Sequence, residues 1–236
     1  MKLYQLPALD GAPSLSPFCL KVSTYMRLAD IAYESIVTLD ATQGPKGKLP
    51  FIDDNGARIG DSYFIIDHLA RTRGVALDAS LTETERAIAL AVSRMLDEHL
   101  YWAVVRSRWL DPVHGRRMLD VFLGALPAEQ RAPIEPVVLD TLRGVMHAHG
   151  IGRHTDGEVV QCATEDVAAV ATLLGDKPFV FGDRPTSIDA CVYAFMANLV
   201  DVEMDTPLRR AALARPTLAD HTKRMRARCY PELARA

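Results

Sequence analysis

Ser16-Pro17-Phe18-Cys19-Leu20-Lys21 follows the short apolar stretch Leu3-Tyr4-Gln5-Leu6 and carries the start signal of a helix. Serine is a preferred N-cap residue. Proline suits the first helical position, because the N–H it lacks would be unpaired there anyway. Val22, Tyr25, Met26 and Ala29 then recur at helical spacing as an apolar stripe. The first N–H groups of a helix have no internal partner and carry partial positive charge. A hydroxyl at that point, just beyond a strand, is placed to hold a thiolate. Read without its surroundings, Ser16 is an N-cap and nothing more.

Outward from this stretch, the first part of the chain alternates in type. Lys2 to Leu6 reads as a strand, Pro17 to Ala29 as a helix, and Tyr33 to Thr38, rich in β-branched and aromatic residues, as a second strand. A Gly/Pro/Lys loop, Gln43 to Lys48, leads to Phe51-Ile52-Asp53, the turn Asp54-Asn55-Gly56, and Ala57-Arg58-Ile59. Asn-Gly between two short apolar runs is a strong hairpin signal. Asp61-Ser62 then opens a helix carrying Ile65, Ile66 and Leu69. This order predicts a small mixed sheet flanked by helices. Beyond Leu77-Asp78-Ala79-Ser80 only helical patterns remain. Thr82-Glu83-Thr84-Glu85 opens a long helix predicted to run to about Leu110, with Ile88, Val92, Met95, Leu96, His99 and Ala103 as its apolar stripe. Further helices are expected around 116–125, 134–147, 158–174, 188–200 and 218–228. The predicted domains are 1–76, α/β, and 80–236, all-α.

Composition excludes several classes. Across 236 residues the net charge is −3, with acidic and basic residues interspersed, so no phosphate-neutralising surface is expected and nucleic acid is not a partner. The start of the chain has no signal-peptide pattern, since Pro7 and Asp10 interrupt it, and the apolar run 190–197 is too short to span a membrane. Cys19, Cys162, Cys191 and Cys229 show no zinc spacing. They read as packed free thiols, and the protein as cytoplasmic, with no metal.

Ser16-Pro17-Phe18, Lys48-Leu49-Pro50, Asp61-Ser62 and Thr186-Ser187-Ile188-Asp189, in this order along the chain, resemble a cytosolic glutathione transferase of the serine type. The wider wording is similar to the failed-axon-connections and metaxin-like branch. Its carriers are 16–21, Pro45 to Pro50, Gly150-Ile151-Gly152-Arg153-His154 and Gly175-Asp176-Lys177-Pro178-Phe179. The resemblance covers essentially the whole chain. It implies a thioredoxin-like domain followed by an all-helical domain, glutathione as co-substrate, a small electrophile, and a homodimer.

It also implies roles. Ser16 donates a hydrogen bond to the glutathione sulfur, with Ser14 as the competing hydroxyl. Phe18 belongs to the glutathione site. Leu49 offers its backbone to the cysteinyl part, and Pro50, cis in thioredoxin-like domains, fixes that geometry. Ser62, at a helix start, suits the γ-glutamyl carboxylate, and Asp61 the amine. For the glycyl carboxylate, Lys46 and Lys48 are the available cations. Arg94, Glu98, Tyr101, Val105 and Arg108 share a face of the long helix. Within it Tyr101 and Val105 are candidates for an electrophile cleft, against the alternative of a solvated face or dimer contact. Trp102 and Trp109 are expected in the core. Cys19 sits where a dithiol motif would have its second sulfur, but position 16 has none, so disulfide exchange is disfavoured. The expected function is activation of the glutathione thiol for transfer to an electrophile. A non-catalytic glutathione- or protein-binding module is the alternative, and a glutaredoxin-like thiol transferase the third reading.

Overall fold

In the computed structural model, which describes residues 1–235, β1 (Lys2–Gln5), α1 (Pro17–Leu28), β2 (Glu34–Val37), β3 (Phe51–Asp54), β4 (Ala57–Gly60) and α2 (Ser62–Arg73) follow in the expected sequence. The strands form one sheet in the order β2-β1-β3-β4. β1 lies parallel to β2, with Leu3 opposite Ser35, and antiparallel to β3, with Leu3 opposite Ile52. The β3–β4 hairpin turns at Asn55 (φ 55°) and Gly56 (φ 92°), the left-handed pair that a tight two-residue connection requires. Leu3 and Ile52 are fully buried with Val22 and Met26 of α1 and Ile65 and Leu69 of α2, which cover the sheet.

Every element from residue 83 onward is helical. α3 (Glu83–Arg94) starts with a full capping box: Thr82 Oγ1 accepts from the Glu85 amide at 3.2 Å, and Glu85 accepts from the Thr82 amide at 2.8 Å. The predicted straight helix to Leu110 is not regular. Met95–Leu100 winds as a π-helix before α4 (Tyr101–Trp109) continues it. The extra residue turns Leu96, Asp97 and Leu100 inward together. Two stripe residues fall outside the core as a result of that geometry and of the helix's position: Ile88 is 36% exposed and His99 faces outward to Asp166. α5 (Pro112–Leu123) starts four residues earlier than expected, with Asp111 capping it. α6 (Ala128–His149) starts six residues earlier, running through Pro133 and Pro136. α7 (Asp156–Leu174), α8 (Ser187–Val200) and α10 (Pro216–Cys229) match their predicted patterns, while α9 (Pro207–Leu213) had no expected counterpart.

α8 is the spine, buried from Ile188 to Leu199. Its start is fixed by Asp189, which accepts from the Thr186 amide (2.8 Å), the Val180 amide (2.9 Å) and Thr186 Oγ1 (3.1 Å), with His221 Nε2 at 3.0 Å. α1 packs along this spine, with Leu20 among Tyr193, Ala194 and Ala197. A polar link joins α1 to α3 and the π-helix: Lys21 Nζ lies 2.6 Å from Asp97 Oδ2 and 3.1 Å from Ser93 Oγ, and both charged side chains are 5% exposed. Two faces of α1 are therefore committed, one to the sheet and one to the helices. Its N-terminal end is left pointing between them. Among the described residues no helix is long and apolar enough to cross a membrane.

Candidate functional site

The start of α1 opens into a cavity of about 640 Å³ between the sheet and the helical part, within the size range of small-molecule sites. Ser16, Phe18, Lys48, Leu49, Pro50, Asp61, Ser62, Tyr101 and Val105 all line it, so these residues, separated along the sequence, face one cavity.

Ser16 is half-buried and caps α1, accepting from the Cys19 amide at 3.3 Å. The N-cap reading is therefore correct, and it leaves the hydroxyl hydrogen available, since no carbonyl or carboxylate of the described residues accepts it. Ser14 is no rival. It is fully buried, donates to the Leu6 carbonyl at 3.0 Å, accepts weakly from the Ser16 amide at 3.4 Å, and does not line the cavity. Its role is to hold the turn that delivers Ser16.

The Leu49–Pro50 bond is cis, as expected, and both residues face the cavity. The loop before them packs closely. A Cβ on Gly44 would come within 2.6 Å of the Lys48 carbonyl, so only glycine fits there. Asp61 caps α2 by accepting from the Tyr63 amide at 2.9 Å, from a backbone with φ 82°. That is a conformation non-glycine residues rarely adopt, and it costs on the order of 1–3 kcal/mol. Ser62 beside Asp61 is buried.

Lys46 and Lys48 both reach the cavity and both are exposed, Lys46 with its ammonium 4.2 Å above the Phe64 ring. A third cation belongs with them. Arg94 lies 4.5 Å over the Tyr63 ring, which places it against α2 and not at an electrophile end. The Phe18 ring packs at 4.7 Å against Tyr101 and at 6.0 Å against Phe195, joining the residues around Ser16 to the helical wall. Tyr101 packs in turn on Trp102 at 5.2 Å, and burial pushes the Tyr101 phenol up. The expected face does meet the cavity, and it divides: Arg94 and Glu98 are exposed, while Tyr101, Val105 and Arg108 of α4 are half-buried or buried. Arg108 is buried, while Trp102 and Trp109, expected in the core, are half-buried and line the cavity as well. Sequence reading missed Leu39, Met118, Phe122 and Leu142, apolar lining residues whose only signal is an ordinary position in a loop or an amphipathic helix.

Three cysteines are chemically quiet. Burial pushes the Cys19, Cys191 and Cys229 thiols up to about 11, so about a thousandth of each is thiolate at pH 8. Cys162 is only half-buried, which corrects the expectation of four packed thiols. Mild alkylation of the native protein at pH 8 is expected to add one label, at Cys162, by peptide mass mapping. Rapid labelling of Cys19 would contradict the burial argument and reopen a redox role.

Two family models match the chain: the glutathione S-transferase N-terminal domain over residues 17–114 and the glutathione S-transferase C-terminal domain over 163–225. "Failed axon connections" of Drosophila melanogaster is 34% identical over 98% of this chain, which spans 58% of that longer protein. "Isoprene-epoxide--glutathione S-transferase" of Rhodococcus sp. (strain AD45) is 33% identical over 92% of this chain and 93% of its own length. Metaxins match at 26–28% identity. Among solved structures, beta-etherase LigF from Sphingobium sp. strain SYK-6 superposes with a TM-score of 0.67 at 15% identity, covering 99% of this chain and 98% of its own, a likeness of fold.

Proposed function

The chain belongs to the glutathione S-transferase family, and from that premise we propose that it binds glutathione in the cavity at the start of α1 and activates its thiol for transfer to a small electrophile. The observation that carries the reading is Ser16. Its oxygen accepts the Cys19 amide as a cap, no carbonyl or carboxylate among the described residues accepts its hydrogen, and the residue lines the cavity that Leu49, Pro50, Asp61 and Ser62 also line. In this reading the tripeptide's cysteinyl backbone pairs with Leu49. Its γ-glutamyl end meets Asp61 and Ser62 at the start of α2, where unpaired amides favour an anion. Lys46, Lys48 and Arg94 are the cations for the glycyl carboxylate. The thiol proton leaves to water, the thiolate attacks an electrophilic carbon held against Tyr101 and Val105, a carbon–sulfur bond forms, and the leaving group departs with its electron pair. The transferase relative that matches over nearly its full length supports this chemistry. The reading includes a homodimer, as the family resemblance implies.

A second reading, a non-catalytic glutathione- or protein-binding module, draws on the similarity to Failed axon connections and the metaxins. Titration separates glutathione binding from a purely protein-binding module, and conjugation of glutathione to a generic aryl halide separates a transferase from a non-catalytic glutathione-binding one. Glutathione and S-methylglutathione, each at tenfold over its dissociation constant, should stabilise the native state by about 1.4 kcal/mol, a rise in Tm of about 3–5 °C. No thermal shift and no calorimetric heat up to several millimolar would favour the protein-binding module.

A further inference from the structure

The cavity wall contains a buried cation that makes no ion pair among the described residues. Arg108 on α4 is 6% exposed. Among the described residues its hydrogen bonds all go to neutral acceptors: the Leu15 carbonyl at 3.1 Å, Asn198 Oδ1 at 3.1 Å and the Asn198 carbonyl. Asp10, whose negative charge reaches it, is itself engaged by Arg117 and by the Glu203 amide. Burial pushes the Arg108 guanidinium down to about 10, still far enough above neutrality to stay charged, with the Tyr101 phenol and the Arg117 charge as its other neighbours. The remaining charged groups of the cavity do not answer it. Asp97 is bound to Lys21, and Asp61, Glu98, Arg94, Lys46 and Lys48 are exposed. A buried charge without a counter-ion is costly. An anion that arrives with a ligand accounts for keeping it.

The position of Arg108 says which anion. Its guanidinium donates to the carbonyl of Leu15, the residue immediately before Ser16, and Arg108 is one of the residues that line the same cavity. Resting on the reading of this cavity as a glutathione site, we infer that Arg108 is a positioning residue for the sulfur, fixing the Leu15–Ser16 turn and holding the bound thiol ionised through its uncompensated charge. The step is a single proton transfer. The S–H bond breaks, the proton goes to water, and the electron pair stays on sulfur facing the Ser16 hydroxyl, with Arg108 supplying the compensating charge. An opposite charge within about 4–6 Å lowers an acid's pKa by about 1–3 units, and less farther away, so the size of the shift reads how near the charge comes to the sulfur.

Ultraviolet absorbance of bound thiolate against pH tests this in the wild type, Arg108→Lys and Arg108→Gln, with S-methylglutathione affinity reporting fold and anchoring. The lysine variant keeps the charge and is expected to titrate within about half a unit of wild type, the glutamine variant about one unit or more higher. S-methylglutathione affinity should stay within about threefold in all three, since that ligand has no thiol to ionise. A glutamine variant that binds the S-methyl ligand and titrates like wild type overturns the inference. If that variant does not fold, Ser16→Ala carries the test. With Arg108 in place its bound thiol should still titrate at least about one unit below free glutathione, more than an exposed helix end supplies. Titration like free glutathione would overturn the inference. Wild-type protein that binds neither ligand sinks the glutathione reading and this inference with it; normal binding with an unmoved titration sinks only the part given to Arg108.

Discussion

Ser16→Ala is expected to slow conjugation of glutathione to a generic aryl halide by roughly 10- to 150-fold while leaving glutathione affinity nearly unchanged. The size follows from the bond removed. A hydrogen bond to a charged acceptor contributes about 1.5–3 kcal/mol, and at 1.36 kcal/mol per unit its loss raises the bound thiol pKa by about 1–2 units. The sign on the pH axis is fixed. The reactive thiolate exists above the bound pKa, so the rate falls as pH drops through it, and in the variant that falling limb moves to higher pH. In the proposed binding mode affinity is spared, because Leu49 holds the cysteinyl backbone, Ser62 the γ-glutamyl carboxylate, Asp61 the amine and the cations the glycyl carboxylate, none of which the hydroxyl touches. The same oxygen accepts from the Cys19 amide, so alanine also removes a cap and costs about 1 kcal/mol of stability. Ser16→Thr keeps both functions and separates them from a general loss of fold. Unchanged rate and pH dependence in Ser16→Ala would reduce Ser16 to its cap, and Ser14, whose hydroxyl is occupied by the Leu6 carbonyl, does not stand ready to replace it.

Lys21→Met should be the most damaging single change to stability away from the cavity's chemistry. The ammonium of Lys21 is the counter-ion of Asp97, both 5% exposed and 2.6 Å apart. Removing the lysine leaves Asp97 buried with only the Ser93 hydroxyl at 3.1 Å and the Cys191 thiol at 3.9 Å. Breaking a buried pair on one side costs about 3–5 kcal/mol. For a chain of this size that is a fall in Tm of about 6–20 °C. The double variant Lys21→Met with Asp97→Leu takes both charges out of the interior and should regain most of the loss, because a buried pair as a whole is worth little against apolar replacements. Denaturant unfolding of the four proteins gives the coupling directly. A loss below about 1 kcal/mol in the single variant would mean that the interface between α1 and the helices admits water.

How much of this was legible in the sequence divides by range. The signals that held are local ones: Ser16-Pro17 at the start of α1, Asn55-Gly56 in the hairpin, Thr82 with Glu85, and Thr186 with Asp189. In each, the residue and the backbone group it serves lie within four positions. The site residues were legible through the resemblance, because Lys48-Leu49-Pro50 and Asp61-Ser62 are short words in a fixed order, although the structure alone brings them to one cavity. What stayed hidden depends on contacts across the chain. The π-helix at Met95–Leu100 leaves no mark in an apolar stripe, since it exists where Asp97 meets Lys21, 76 positions away. Pro133 and Pro136 argue against a helix that α6 nevertheless forms. Arg108 reads as one more charge on a helix face until its partners, 90 and 93 positions distant, are seen to be neutral.

The π-helix has a bearing on how such a protein can diversify. One extra residue rotates everything after it by about 100° relative to a regular helix of 3.6 residues per turn. Arg94 before it leans on α2, and Tyr101 and Val105 after it form the opposite wall. The two halves of one rod are thereby uncoupled in phase. Substitutions downstream can reshape the wall formed by Tyr101 and Val105 while the side of the cavity around Ser16, built from residues 16 to 62, is left as it was. A cavity with one wall on a separately indexed stretch of helix has a physical route to many ligand shapes from a single scaffold.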